Sequence, residues 1–598
     1  MPQIRVHRLH QSFTSGEISQ LLDSRVDFNR YRNACRTLRN AIALSQGPAM
    51  RRSGFKFIYS LTSLGIDYSN PKIKMIPFIF NEIQSYVLVI FQHTNGHPRI
   101  VIFFKDGSII KTNQGDVFYI QLDSVYDIDE IDYAQSSDEL YITNPHHKPQ
   151  VIKRQAHNDW TLNDILFANQ PNEWSDTNGW PEKITFFQQR LAFAANKMYR
   201  LMVWLSKANN FFDFGTSSPK LDSDSVTFAL NSGDQNKIMW ISSSQNLNVG
   251  TMSSEWTVAG SNGPITPSNI LAQRQTNNGS ESIKPNVVGE TTLYVERFGR
   301  NINEFRYEFN SNSYVSDDIS VLAPHLTEHF RIANWTYQQV PHRLIWSVRS
   351  DGGLIGLTYR RSHKVVGFSQ HDTQGKFVYV SSIPGESRED DLWAVVQRFS
   401  NGNQHYYVEC MADWYIGEET KEGRFLDSYT YIESQNEFNH ISGLDYLEGL
   451  EISVLLDGSV HPKVKVINGE IQLIRAGNEA IVGLPYETEI RPLLEDIRTD
   501  YGTIIGRVQR ITNIDVSLYK TVGLILQRHD DEGDYVDEEE IPFRYPYNLT
   551  GQPVPLYTGI KHISYPEGFD RKADFSLIQR DPLPLTVLSV VDTISVYE

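Results

Sequence analysis

The sequence predicts a mainly β protein: a β-propeller of six or seven blades, with an N-terminal helical or extended arm and a C-terminal β-sandwich or barrel domain. Three observations carry this reading. Aromatic side chains, which favour strands, are abundant, with 30 Tyr, 30 Phe and 10 Trp in 598 residues. From about residue 75, short apolar runs are punctuated by Asn-Gly, Asp-Gly and Gly-rich pairs, the chemistry that tight hairpins with positive φ require. These hairpin-like stretches also recur, starting at Tyr86, Leu140, Leu191, Leu247, Leu293, Leu344 and Leu392, at intervals of 54, 51, 56, 46, 51 and 48 residues. A unit of roughly 40–50 residues holding about four short strands is the size of a propeller blade, and radial repetition protects edges that a string of hairpins would expose. A run of unrelated β-sandwiches is the competing reading. The steady interval between units of dissimilar sequence favours the propeller.

Residues 1–60 read as a basic arm. They hold ten Lys/Arg against three acids, +7, while the remainder of the chain carries −24, for a formal net charge of −17. Within "VDFNRYRNACRTLRNAIAL" the apolar residues Tyr31, Ala34, Cys35, Leu38 and Ile42 recur at threes and fours, with Arg32, Arg36 and Arg39 on another face. That spacing predicts an amphipathic helix, with Asp27 as N-cap and Gly47-Pro48 as the stop. Residues 61–430 form the predicted propeller. Residues 431–598 lose the interval but keep strand character, and form the predicted C-terminal β domain. Eight of the eleven residues 530–540 are acidic, and such a run predicts a solvated, mobile loop over 529–540.

Composition excludes several classes of function. No apolar run reaches the roughly 18 residues of a membrane span, and "MPQIRVHRLHQSF" lacks the apolar stretch of a signal peptide. Cys35 and Cys410 are the two cysteines, which argues against a disulfide framework or a thiolate zinc site and for synthesis in a reducing compartment. An acidic body is poorly suited to gripping phosphates. Catalytic signatures such as GxSxG, HExxH, GxxxxGK[ST] and GxGxxG are absent from the sequence. His146-His147 has no third metal ligand nearby. "SDTNGW" (residues 175–180) resembles the Asp-box turn of sialidase propellers only faintly, with the wrong spacing. Glu255-Trp256 reads as a core Trp beside a rim acid. Sequons at Asn278, Asn334 and Asn548 mean little without a secretory signal. No cofactor, metal or catalytic residue is expected.

Several motifs carry a resemblance. "QSFTSGEISQLLDSRVDFNRY" followed by "MRRSGFKFI" resembles the start of tail nozzle, or tail tubular protein B-like, proteins of short-tailed bacteriophages (podoviruses). The matching segments continue in order with "YAQSSDELYITNPHHKPQVIKR", "QQRLAFAAN", "SKANNFFDF", "IMWISSSQNLNVGTMSSEWTV", "SVLAPHLTE", "IWSVRSDGGLIGLTY", "VGLPYETEI" and "RDPLPLTVLSV". Residues 529–545 depart from the pattern, being more acidic than the family.

The resemblance implies a non-enzymatic structural part of the virion tail, made in the host cytoplasm. By that resemblance six copies are expected to form a ring below the portal and its head-to-tail adaptor ring. The ring is expected to contact tail fibres or spikes, to meet the host envelope at its distal tip and to conduct double-stranded DNA without holding it. Six chains of −17 would carry −102, a wall that repels phosphates and keeps a duplex sliding. Asp530, Asp531, Glu532, Asp534, Asp537, Glu538, Glu539 and Glu540 are expected at that lumen or at the tip. Arg25, Arg32, Arg36, Arg39, Arg51 and Arg52 are expected to dock on acidic surface of the adaptor or of the next subunit, since guanidinium forks pair carboxylates well. An ordinary solvated face remains the alternative for these arginines. Two other functions compete. A propeller adhesin or glycan hydrolase acting on the host surface would need paired carboxylates in a cleft. A cellular interaction propeller would show WD-type dipeptides.

Overall fold

The computed structural model describes residues 4–597 apart from 24, 26, 232–235, 416, 494–497, 500, 501, 505, 547–551, 566 and 567, so Asn548 lies outside the described residues. The chain is mainly β, and among the described residues its helical pieces are short 3-10 turns. The repeat is a four-stranded antiparallel meander. The first comprises Ile73–Ile79, Ser85–Gln92, Pro98–Phe104 and Tyr119–Gln121. Four more begin at Asp132, Lys183, Ile238 and Asn286, and each forms a sheet of its own. A sixth, starting with Ile332–Gln338, and a seventh, starting with Lys376–Pro384, belong to larger sheets. Among the described residues, seven such meanders, each with the strand order of a propeller blade, follow one another in chain order.

All seven hairpin starts read from the sequence fall in the second strand of a meander, from Ser85–Gln92 to Asp390–Ser400. The reason is burial. Ser85–Gln92 is buried at every residue but its last, whereas the outer strand Tyr119–Gln121 buries only its middle residue. Middle strands are covered on both faces and hydrogen-bonded on both edges, so they read as continuous apolar runs.

The seventh meander takes its fourth strand from the N-terminus: Asn403–Met411 pairs antiparallel with Phe55–Ser60. By contacts the chain forms one unit of residues 1–62, 337–382 and 387–598, and another of 63–336 with 383–386. This corrects the three-part division at 60 and 430. Residues 1–60 are not a separate arm, because Ile4–His10 pairs with Thr586–Tyr597 and Ala34–Arg39 pairs with Thr488–Pro492.

The predicted helix is a strand. After a single 3-10 turn at Tyr31–Asn33 the chain runs extended from Ala34 to Arg39. The pairing with Thr488–Pro492 slips by one residue between Cys35 and Thr37. A bulge adds one residue to a two-residue alternation, so buried Cys35 and Leu38 stand three apart and imitate a helical spacing. The C-terminal strands form a sandwich of open sheets with no closed barrel. Leu38, Ile490, Leu526 and Leu577 of a ten-stranded sheet share a core with Ile514, Val516, Val590 and Ile594 of a six-stranded one.

Candidate functional site

The candidate assembly arginines divide by burial. Arg51 and Arg52 are interior, at 1% and 0% exposure. Arg52 grips Asp427 with both fork nitrogens at 2.8 Å, and donates further to Asn40 Oδ1 (3.1 Å), the Ser53 carbonyl (3.0 Å) and the Asp372 carbonyl (2.8 Å). The Tyr486 ring lies 3.9 Å from its guanidinium carbon. Arg51 stands on the same ring at 4.6 Å and donates to the carbonyls of Asp581, Leu583 (2.9 Å) and Tyr486 (2.9 Å). Asp427 is held below the usual carboxylate range, burial being outweighed by Arg52 beside it. A second buried pair, Arg398 with Glu409 at 2.6 Å, lies close enough to act on Asp427 electrostatically. Desolvated and with their donors turned inward, Arg51 and Arg52 cannot meet a partner surface, which corrects their assignment to docking.

The residues that carry the family resemblance meet here. Gly16 has a φ of +62°, and a Cβ there would stand 2.3 Å from the Phe368 carbonyl oxygen, so only glycine fits. Glu17, 2% exposed, accepts the N–H of Leu38 at 2.8 Å and the Gln370 amide at 3.1 Å. A Cβ on Gly54 would lie 1.9 Å from the Leu426 carbonyl oxygen. Thus "GE", "RRSG", "LPYE" and "RDPLPL", hundreds of residues apart in places, form one knot. Sequence reasoning saw the motifs but assigned the arginines to the surface. The adjacent Gly54 and the apolar "FKFI" that follow were the available sign of an interior strand.

The other arginines lie nearer the surface. Arg25 pairs with Asp27 (2.8 Å), Arg36 with Asp23 (2.6 Å), and Arg32 is exposed. Arg39 binds Asp372 (2.6 Å) and Glu487 (3.4 Å); Glu487 binds Arg580 (2.7 Å), which binds Glu538 (2.9 Å). This chain of ion pairs joins an expected docking arginine to the expected lumen or tip carboxylates.

The acidic run is a hairpin, not a mobile loop: Ile525–His529 pairs with Tyr535–Glu540, an edge strand exposed at all six positions. Its turn is built by Asp530, which accepts the N–H groups of Glu532, Gly533 and Asp534 at 2.8–2.9 Å. These bonds pull the Asp530 carboxyl down. Asp531 accepts the N–H of Arg571 at 2.6 Å. Asp530, Glu532 and Asp534 bring carboxylate oxygens within 4.8 Å of one another, the one such trio of possible cation ligands among the described residues.

Other flagged residues are accounted for by the fold. His146 faces Glu130 at 3.3 Å, and His147 stacks on Tyr126 at 5.0 Å. Trp180 is core and donates to Asp176 (3.0 Å). Glu255 is no rim acid: it is fully buried, accepts from Thr276 (2.5 Å) and Ser280 (3.1 Å), and burial raises its carboxyl. Burial also pushes the thiols of Cys35 and Cys410 well up, away from thiolate chemistry.

No family model and no curated protein matches this chain. Among solved structures, the RRP9 WD40 repeats are similar with a TM-score of 0.37 at 9% identity, covering 60% of this chain and 99% of that one. U3-55K gives 0.35 at 9% identity over 58% of this chain and 100% of its own. The β-propeller domain of Myceliophteria thermophila Cps50 (Swd1) gives 0.33 at 9%, over 60% and 100%.

Proposed function

We propose that this chain is a structural subunit of a short-tailed phage virion: a ring-forming tail nozzle that continues the portal and adaptor channel and conducts the genome during ejection. The observation that carries the reading is the ordered set of family-like motifs along nearly the whole sequence. Supporting it, Gly16, Glu17, Arg52, Gly54 and Tyr486 within those motifs each have a specific role in packing, so the resemblance lies in residues that dictate a fold. The proposal keeps an enzymatic role out, places six copies in the ring, and assigns the exposed carboxylates of Tyr535–Glu540 to the lumen or tip.

Docking now falls to the surface segment around Arg25 and Arg32, beside Leu21, which is 86% exposed. Native mass measurement and electron microscopy of the purified protein test the reading, and rings of six are the expected result. A stable monomer that neither assembles nor adds to nozzle-free tails would reject it. The double variant Arg25→Glu/Arg32→Glu is expected to lower ring yield or tail attachment at least tenfold without changing the melting temperature. Normal assembly of that variant would remove the docking role while leaving the nozzle reading intact.

A further inference from the structure

In the unit of residues 63–336 the first strands of the meanders begin at Ile73, Asp132, Lys183, Ile238 and Asn286. Asp132–Ser136 packs against Lys183–Phe187, which packs in turn against Ile238–Ser243. Within two residues of each start stands a charged side chain: Lys74, Asp132, Lys183, Lys237 and Lys284. These positions are roughly fifty residues apart and share no motif, so no sequence pattern links them.

The side chains converge across meanders. Lys284, at the fifth, donates to Asp132 Oδ1 of the second at 3.2 Å and to the Tyr133 carbonyl, with its Nζ 4.2 Å from the Tyr133 ring centroid. Lys183, at the third, donates to Ser282 Oγ beside the fifth at 2.8 Å. Lys74, on the first, donates to the Asp129 carbonyl at 3.2 Å and to the Ile131 carbonyl. Lys237 is neutralised by Glu182 at 2.6 Å.

The charges do not balance. Lys183 and Lys284 act on the carboxylate of Asp132, and Asp132 acts in turn on Lys74; it also accepts the N–H groups of Ile184 (3.1 Å) and Tyr133 (2.9 Å). Asp129, which also acts on Lys74, is shared with Lys72 at 3.1 Å. Ammonium groups are strongly hydrated and costly to bury. Counting Lys72 and Lys237 as well, five ammonium groups face the four carboxylates of Asp127, Asp129, Asp132 and Glu182, the last of which also acts on Lys183, and this leaves a local excess of one positive charge and of donors in a protein of net charge −17. Burial drives Lys74 down to about 8 and lowers Lys183 as well, with the neighbouring lysines adding to it. An anion between them would relieve both effects.

We propose that Lys74, Lys183 and Lys284 form a binding site for a small polyvalent oxyanion of the phosphate class at the converged starts of these strands. The site does not depend on the nozzle reading, and its failure leaves that reading untouched.

Calorimetric titration of the full chain with inorganic pyrophosphate tests it. One site per chain is expected, weakened at least tenfold in Lys183→Gln and in Lys284→Gln, and unchanged in Lys148→Gln, a lysine of the same unit that pairs with Asp164 instead. Should Lys183→Gln fold poorly, the better-exposed Lys284→Gln carries the comparison through thermal stabilisation by pyrophosphate, present in the native chain and lost in the variant. Sulfate binding, measured across a pH series, should weaken as pH rises through about 8, where Lys74 gives up its proton among Asp129, Asp132, Lys183 and Lys284. The proposal is overturned by no binding or stabilisation in the native chain, by equal affinity in all three variants, or by binding of a short DNA duplex without pyrophosphate.

Discussion

Arg52 shows at the residue scale how a surface-looking charge becomes interior. Its fork is matched by Asp427 and its face is covered by Tyr486. Such pairs add little net stability compared with an apolar core, yet losing one partner strands a buried charge. Asp427→Asn is therefore expected to cost about 3–5 kcal/mol, read as a lower urea midpoint at unchanged slope. Arg52→Lys should also be destabilising, because an ammonium cannot span both carboxylate oxygens and the Asn40 and Asp372 acceptors together.

Buried histidines contribute to loss of stability in acid. Burial lowers His10 to about 4, and burial with Arg52 nearby lowers His371 well below 6.5. Their folded values lie below the unfolded one, so the unfolded chain gains protons first as pH falls. Stability is present above about 6.5 and is lost progressively toward about 4. For His10 the loss by the end of that window is about 3 kcal/mol. Melting curves across the window should show a shallower decline in His10→Gln than in the native chain.

Among the elements, the hairpin ending in Tyr535–Glu540 is the instructive one. Its edge presents Tyr535 and Val536 at 55% and 43% exposure, a strand ready to pair with another chain. Charges along such an edge oppose that pairing, which is a folded-state role for the acidic run besides any role in a channel. Replacing Asp537, Glu539 and Glu540 with their amides, while keeping Glu538 for Arg580, should promote irregular self-association. Light scattering at neutral pH and moderate salt checks this; no change in scattering argues against edge protection. The strand Ile4–His10 makes a complementary point. It carries Arg8, which is 2% exposed and paired with buried Asp592, so deleting residues 1–12 should abolish soluble, cooperatively folding protein rather than release a dispensable arm.

For the whole molecule, the repeat was legible because each meander contains a second strand buried on both faces, and burial writes itself into sequence as apolar runs between turn residues. Gly16, Gly54 and the paired arginines were legible as motifs, though not as a knot. What only the tertiary structure decided is which distant segments share a sheet. Phe55–Ser60 beside Asn403–Met411, Ala34–Arg39 beside Thr488–Pro492, and the electrostatic coupling of Lys74, Lys183 and Lys284 to Asp132 are all non-local. Backbone hydrogen bonds and long-range charge pairing leave no periodic trace in a chain, because their partners are set by the path of the fold and not by neighbours in sequence. For the same reason a bulge at Cys35 could imitate a helix, and two interior arginines could read as a surface.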